Sequence, residues 1–166
     1  MSIMARKPES DFEPCPEGLH QAVCVDAVDK GLQPTRWGEK HKVLLIWQID
    51  QVDRKARRYQ VRKLYTNSLH EKAALRKDLE SWRSRRFTDE ELKGFDLENL
   101  IGANCQLQII HNTGEDGSVF ANVGAIVPVP RSTAKLAPEE YVRAKDRAPA
   151  SGPASTEGDD AHDIPF

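Results

Sequence analysis

The chain has 166 residues, 39% hydrophobic and 30% charged, with a formal net charge of −2, which suits one domain with a modest core and extensions. No apolar run approaches the ~20 residues that span a bilayer, and the opening "MSIMARKPESDFEPCPEGLH" has no apolar stretch of the secretory kind, so a cytoplasmic chain is expected. Cys15, Cys24 and Cys105 form no C-x-x-C pair, which argues against a zinc cluster and a disulfide framework; Cys24 and Cys105 sit among strand-like residues and are expected in the core.

Residues 1–16 are polar and proline-containing and read as an extended arm. "LHQAVCVDAVDKGL" alternates well enough for a long strand, and "QPTRWGEKH", with Pro34 and Gly38 as breakers, reads as an exposed loop. "KVLLIWQID" is short, branched and aromatic, and predicts a second strand with Val43, Leu45, Trp47 and Ile49 inward and Lys42, Leu44, Ile46 and Gln48 outward. After the charged hairpin "QVDRKARR", "YQVRKLYT" is the third strand.

The period then changes. Ser68 and Glu71 have capping-box spacing, and Leu75, Leu79 and Trp82 follow on one helical face. Thr88 and Glu91 repeat the box before a short helix that Gly94 ends, and "LENLIG" reads as a further turn. "NCQLQIIHN" and "SVFANVGAIV", joined by "TGEDG", are the last two strands, and Pro128 and Pro130 close the domain. "KLAPEEYVRAKD" reads as a loose helix within a linker and tail spanning 131–166, and "RAPASGPASTEGDD" has too little apolar content to offset its ordering entropy. Three strands, a helical insert and two strands give an all-β domain over 17–130. This is the element order of the five-stranded OB-fold barrel, with its helix between strands three and four.

The charge is unevenly spread. Arg36 to Arg86 holds 15 Lys/Arg against 6 Asp/Glu, while Pro149 to Phe166 holds four acids and no Lys or Arg. A basic middle and an acidic tail suggest an anionic partner for the body and a different partner for the tail. The five histidines have no metal-ligand spacing, there is no nucleophile elbow, P-loop or dinucleotide fingerprint, and no compact carboxylate cluster lies in the body. No catalytic residue, metal or cofactor is therefore expected.

Sequence-tolerant binding of single strands needs cations for the backbone and flat side chains for the bases. Trp37 lies beside Arg36, Lys40 and Lys42 with no apolar neighbours, which favours a stacking platform. In the third strand Tyr59, Lys63 and Tyr65 share one face and Arg62 lies on the other; either face could meet DNA, and each tyrosine is equally a core candidate. Phe120 shares a face with Ser118 and Asn122 and is an exposed candidate. Arg85 and Arg86 beyond the helix could grip phosphates or complement the helix dipole.

The chain ends "DDAHDIPF". A terminal Ile-Pro-Phe behind a flexible acidic stretch resembles the tail of bacterial single-stranded DNA-binding proteins. There the Pro-Phe enters an apolar pocket on replication and repair enzymes, and the acids meet a basic rim. The resemblance implies that Asp159, Asp160, Asp163, Ile164, Pro165 and Phe166 bind partner enzymes. From about Glu17 to Pro130, "LQPTRWGEKHKVLLIWQ", "KLYTNSLHEKAALRKDLESWRSRRFTDEELKGFDLENLIG" and "CQLQIIHN" are similar to a family of OB-fold single-stranded DNA-binding proteins encoded by tailed bacteriophages. That similarity implies a strand-coating role in phage replication, recombination and repair, with single-stranded DNA and host or phage enzymes as partners, no membrane, and homo-oligomerisation left open. Two readings compete: a barrel adaptor that captures host repair enzymes and binds little DNA, and a nuclease or annealing enzyme.

Overall fold

The computed structural model describes Ile3, Ala5 and residues 14–147. Five antiparallel strands form a single sheet: β1 (Gly18–Thr35), β2 (Gly38–Val52), β3 (Arg58–Thr66), β4 (Asn104–Thr113) and β5 (Val119–Val127), in the order β3-β2-β1-β4-β5. β1 is shared between two ladders. Its first six residues pair with β4, from Gly18 opposite Ile109 to Val23 opposite Asn104. From Ala22 to Thr35 it pairs with β2. Register shifts near Val25 and Lys30 break the β1–β2 ladder, and such bulges bend and twist a strand. β3 and β5 approach each other, but no ladder joins them, so the five strands form a sheet that is not closed.

The stretch read as a loop at 33–41 is mostly ladder. Gln33, Pro34 and Thr35 pair with Lys40, Glu39 and Gly38, which leaves Arg36 and Trp37 alone in the turn. Gly38 sits at φ 103°, a left-handed conformation that a side chain would strain. β1 and β2 thus continue past the Lys42–Thr66 pair, the last pair with β3, as a two-stranded ribbon.

α1 (Ala74–Arg83) and α2 (Asp89–Lys93) follow β3, and a 3₁₀ turn (Leu97–Leu100) leads into β4. Thr88 and Glu91 form the expected capping box, each side chain accepting from the other's backbone N–H. Ser68 does not cap α1. Its hydroxyl accepts from His70 N within a preceding turn, and α1 starts at Ala74 without a side-chain cap. Leu75, Leu79 and Trp82 turn inward as the spacing predicts, and Trp82 packs 6.0 Å from Trp47, ring to ring.

The inner-face core holds Ala22, Cys24, Val43, Leu45, Trp47, Ile49, Val61, Cys105, Leu107 and the α1 apolar face. Burial pushes the Cys24 thiol up to about 12, and Cys105 is raised for the same reason, so both are neutral core side chains. The arm expected over 1–16 is anchored at its end: Cys15 is buried, and its carbonyl accepts from His111 Nε2 at 2.6 Å.

The outer face departs from expectation. Leu44 and Ile46, assigned to solvent by alternation, are buried with Val23 and Val25 in a second cluster under Leu136 and Tyr141. Residues 131–147 of the segment read as linker with a loose helix form a strap laid across this face, and among these described residues the one helical turn is Ala144–Asp146. Asn104 brackets Leu136, accepting from its N–H and donating to its carbonyl; Gln48 does the same for Glu139. The strap covers four aliphatic side chains, each worth about 1.5–3 kcal/mol when fully buried. The packed residues therefore continue past the boundary drawn at 130 and include Leu136, Tyr141 and Ala144.

Candidate nucleic-acid interface

Both extra residues of the β1–β2 pairing lie on β1, and β2 itself pairs residue by residue from Gly38 to Gln48, so Lys40, Lys42, Leu44, Ile46 and Gln48 share one face. On β3 the partners of Lys42, Leu44 and Ile46 are Thr66, Leu64 and Arg62. From the hairpin tip, where Trp37 and Arg36 stand, towards the strap, the outer face presents Lys40, then Lys42 beside Thr66, then the half-exposed Leu64, then Arg62. From Lys40 to Ile46 this row is about 20 Å long, at ~3.3 Å per residue.

Trp37 is 78% exposed, and the Arg36 guanidinium carbon lies 5.6 Å from its ring centroid. The Thr35 hydroxyl organises the turn, accepting from Trp37 N at 3.1 Å and donating to the Gly38 carbonyl at 2.6 Å. An aromatic face held out by a tight turn, with a cation on it, has the parts of a stacking platform. Lys42 Nζ donates to Thr66 Oγ1 at 2.7 Å. Among the described residues, none of Arg36, Lys40, Lys42 or Arg62 has a carboxylate partner. On the other face of the ribbon, Asp29 accepts from Gly31 N and pairs with His41, contacts that hold its carboxyl below the ordinary range.

Two predicted stackers are not available. Tyr65 is buried at 2% exposure, and its hydroxyl donates to Asp78 Oδ2 at 2.6 Å; burial first, then that bond, raises its pKa. Tyr59 is also buried in the inner core. Lys63 shares their face and is claimed by Asp78 at 2.9 Å. Of the two faces of β3, the one bearing Arg62 is therefore the open one. Arg85 and Arg86 are exposed at the end of α1, which packs on the inner-face core, so they do not join the outer row. Phe120 is 52% exposed and stands on the β4–β5 hairpin opposite Asn112, with its ring and the Asp116 carboxylate both close to Gly114.

The strap contributes residues that the sequence did not single out. Asp26, 1% exposed in a β1 run that is otherwise apolar, accepts from Tyr141 Oη, Arg143 Nε and Ala144 N at 2.7, 2.7 and 2.8 Å. Arg143 also makes two bonds to Glu98, joined by Lys145, and these hold the Glu98 carboxyl down to about 2. The one local hint was an acid inside "AVCVDAV". Asp159, Asp160, Asp163, Ile164, Pro165 and Phe166 lie outside the described residues.

Among the described residues no group of three or more His, Cys, Asp or Glu could hold a metal ion, and no helix is long and apolar enough to cross a membrane. No protein-family model matches the sequence, and comparison with curated proteins finds no match.

Proposed function

We propose that the protein binds single-stranded DNA without sequence preference, as a phage-encoded strand-coating protein acting in replication, recombination and repair in the host cytoplasm, and that its DIPF tip recruits partner enzymes. The observation that carries this reading is Trp37: an exposed indole under Arg36, at the head of a row of unpaired cations on β2 and β3. Bases stack on the ring and phosphates follow Lys40, Lys42 and Arg62, a division of labour suited to sequence-tolerant binding. The fold supports it too. A long first strand shared between two ladders, with a helix between strands three and four, is the plan of an OB-type barrel, whose second and third strands form the usual oligonucleotide face.

A fluorescence titration with oligo-dT at two salt concentrations tests the proposal. Binding is expected to favour single strands over duplex and to weaken with salt at a log–log slope of about −0.7 per phosphate neutralised. Salt-independent binding, or a tight preference for one duplex sequence, would sink it. The adaptor reading draws on the strap, which covers part of the outer face; it predicts no oligo-dT binding at low salt together with intact capture of enzymes by the tail.

A further inference from the structure

We infer that the strap is a fixed wall of the strand-binding surface and that Arg147 on it contacts a DNA phosphate, extending the cation row beyond Arg62. This rests on the single-strand reading above.

Three charges on the strap are already neutralised. Arg143 is held by Asp26 and by Glu98, and Lys145 by Glu98 at 3.3 Å. Glu139 pairs with Arg58 of β3 at 2.6 Å. Arg147 differs. Its Nε donates to the Val142 carbonyl and its Nη2 to Tyr141 Oη, both at 3.2 Å, and no carboxylate among the described residues meets it. Its guanidinium carbon lies 5.6 Å from the Tyr141 ring centroid.

Tyr141 links this group to the row. Its ring packs on the outer cluster with Leu44 and Ile46, and Ile46 is the ladder partner of Arg62. Arg147 Nη2 meets Tyr141 at its hydroxyl. That hydroxyl donates to buried Asp26, which fixes the ring and, through it, the Arg147 fork. An exposed guanidinium with its orientation set and Nη1 unclaimed among the described residues is preorganised for a phosphate oxygen and loses little freedom on binding. An acidic peptide, including this chain's own 148–166, offers carboxylates of similar chemistry. The phosphate is favoured because Arg147 continues a row that begins at an exposed indole, and acids have no use for a stacking platform.

The test uses the full chain and oligo-dT at several salt concentrations. Arg147→Ala should lower the log–log salt slope by about 0.7, so that about 2.6-fold less affinity is lost over a fourfold rise in salt. Arg131→Ala, which removes an exposed charge near the start of the strap, should leave the slope alone. Arg147→Lys keeps the charge but not the fork, and should keep the slope. If Lys behaves like Ala, or if Ala lowers the melting temperature along with the affinity, the residue is structural and the proposal fails. If the effect of Arg147→Ala disappears in a chain ending at 147, Arg147 serves the tail and the proposal fails. Wild-type binding with no change in Arg147→Ala overturns this inference alone, whereas a wild type that binds no oligo-dT overturns the single-strand reading and this with it.

Discussion

Asp26 Oδ1 accepts from Arg143 Nε at 2.7 Å across a sequence separation of 117 residues. This contact fastens the strap to the middle of β1. Burial alone would raise the Asp26 pKa; the bonds from Ala144 N, Tyr141 and Arg143 outweigh it, and the net shift is downward. A carboxyl depressed by folding stabilises the native state above its unfolded pKa, near 3.9, and loses that contribution as pH falls through its folded value. Wild type is therefore expected to lose strap stability below about pH 4, with Glu98 following as pH approaches about 2. Asp26→Asn should cost about 3–5 kcal/mol at pH 7, since it leaves a largely buried Arg143 half-paired. Its melting temperature should also vary less than that of wild type between pH 5 and 3. Equal acid sensitivity in both proteins would remove Asp26 from the account.

Trp37→Ala is expected to weaken oligo-dT binding by about 1–3 kcal/mol, the usual worth of one stacking platform. Its melting temperature should stay close to wild type, because a side chain 78% exposed at a hairpin tip buries little on folding. A variant that unfolds while its folded fraction binds normally would show that the indole packs in solution.

Trp47→Ala should do the reverse. The ring is fully buried against Trp82, and such truncations cost about 3–5 kcal/mol. Trp47→Phe should cost much less, because the indole N–H has no hydrogen-bond partner among the described residues and removing a buried unsatisfied donor recovers its desolvation penalty of about 1–3 kcal/mol. Chemical denaturation of the three proteins checks the order, and the oligo-dT affinity of each folded form should be unchanged.

Where sequence reading succeeded and failed has a physical pattern. Local signals transferred. The Thr88–Glu91 box closes as spaced, and Leu75, Leu79 and Trp82 share the buried side of α1. Period-two alternation placed Val43, Leu45, Trp47 and Ile49 inward, but it misassigned Leu44 and Ile46, because β2 is buried on both faces. The unbroken run "VLLIW" carried that information, since a doubly covered strand is apolar without alternation. What covers the second face was not legible. The strap has few apolar residues and little local structure, and its path is dictated by Asn104, Gln48 and Asp26, all distant in sequence. Tyr59 and Tyr65 illustrate a different limit: a tyrosine on a strand suits a core as well as a surface, and only the Asp78 partner on α1 decides for Tyr65.

The tail supplies the last prediction. Removing Asp163–Phe166, or changing Phe166 to Ala, should abolish capture of the host helicases and exonucleases that read such a tip. The small apolar anchor supplies most of the affinity, and the acids upstream mainly steer. The stretch before the tip has too little apolar content to offset its ordering entropy, so thermal stability should not move. DNA affinity should stay the same or rise. Glu157, Asp159, Asp160 and Asp163 follow a Pro/Ala/Ser/Gly-rich stretch on a body whose outer row is cationic, and a short tether of such composition brings a competitor to about the mM range of effective concentration. Any rise should shrink with added salt, because exposed charges are screened over ~10 Å at 0.1 M. Pull-down of a purified host helicase by full-length and truncated protein, together with oligo-dT titrations of both at low and high salt, decides between the outcomes. Equal pull-down would mean that the Ile-Pro-Phe tip is not a docking peptide, and weaker DNA binding after truncation would mean that the tail contacts the strand and does not compete with it.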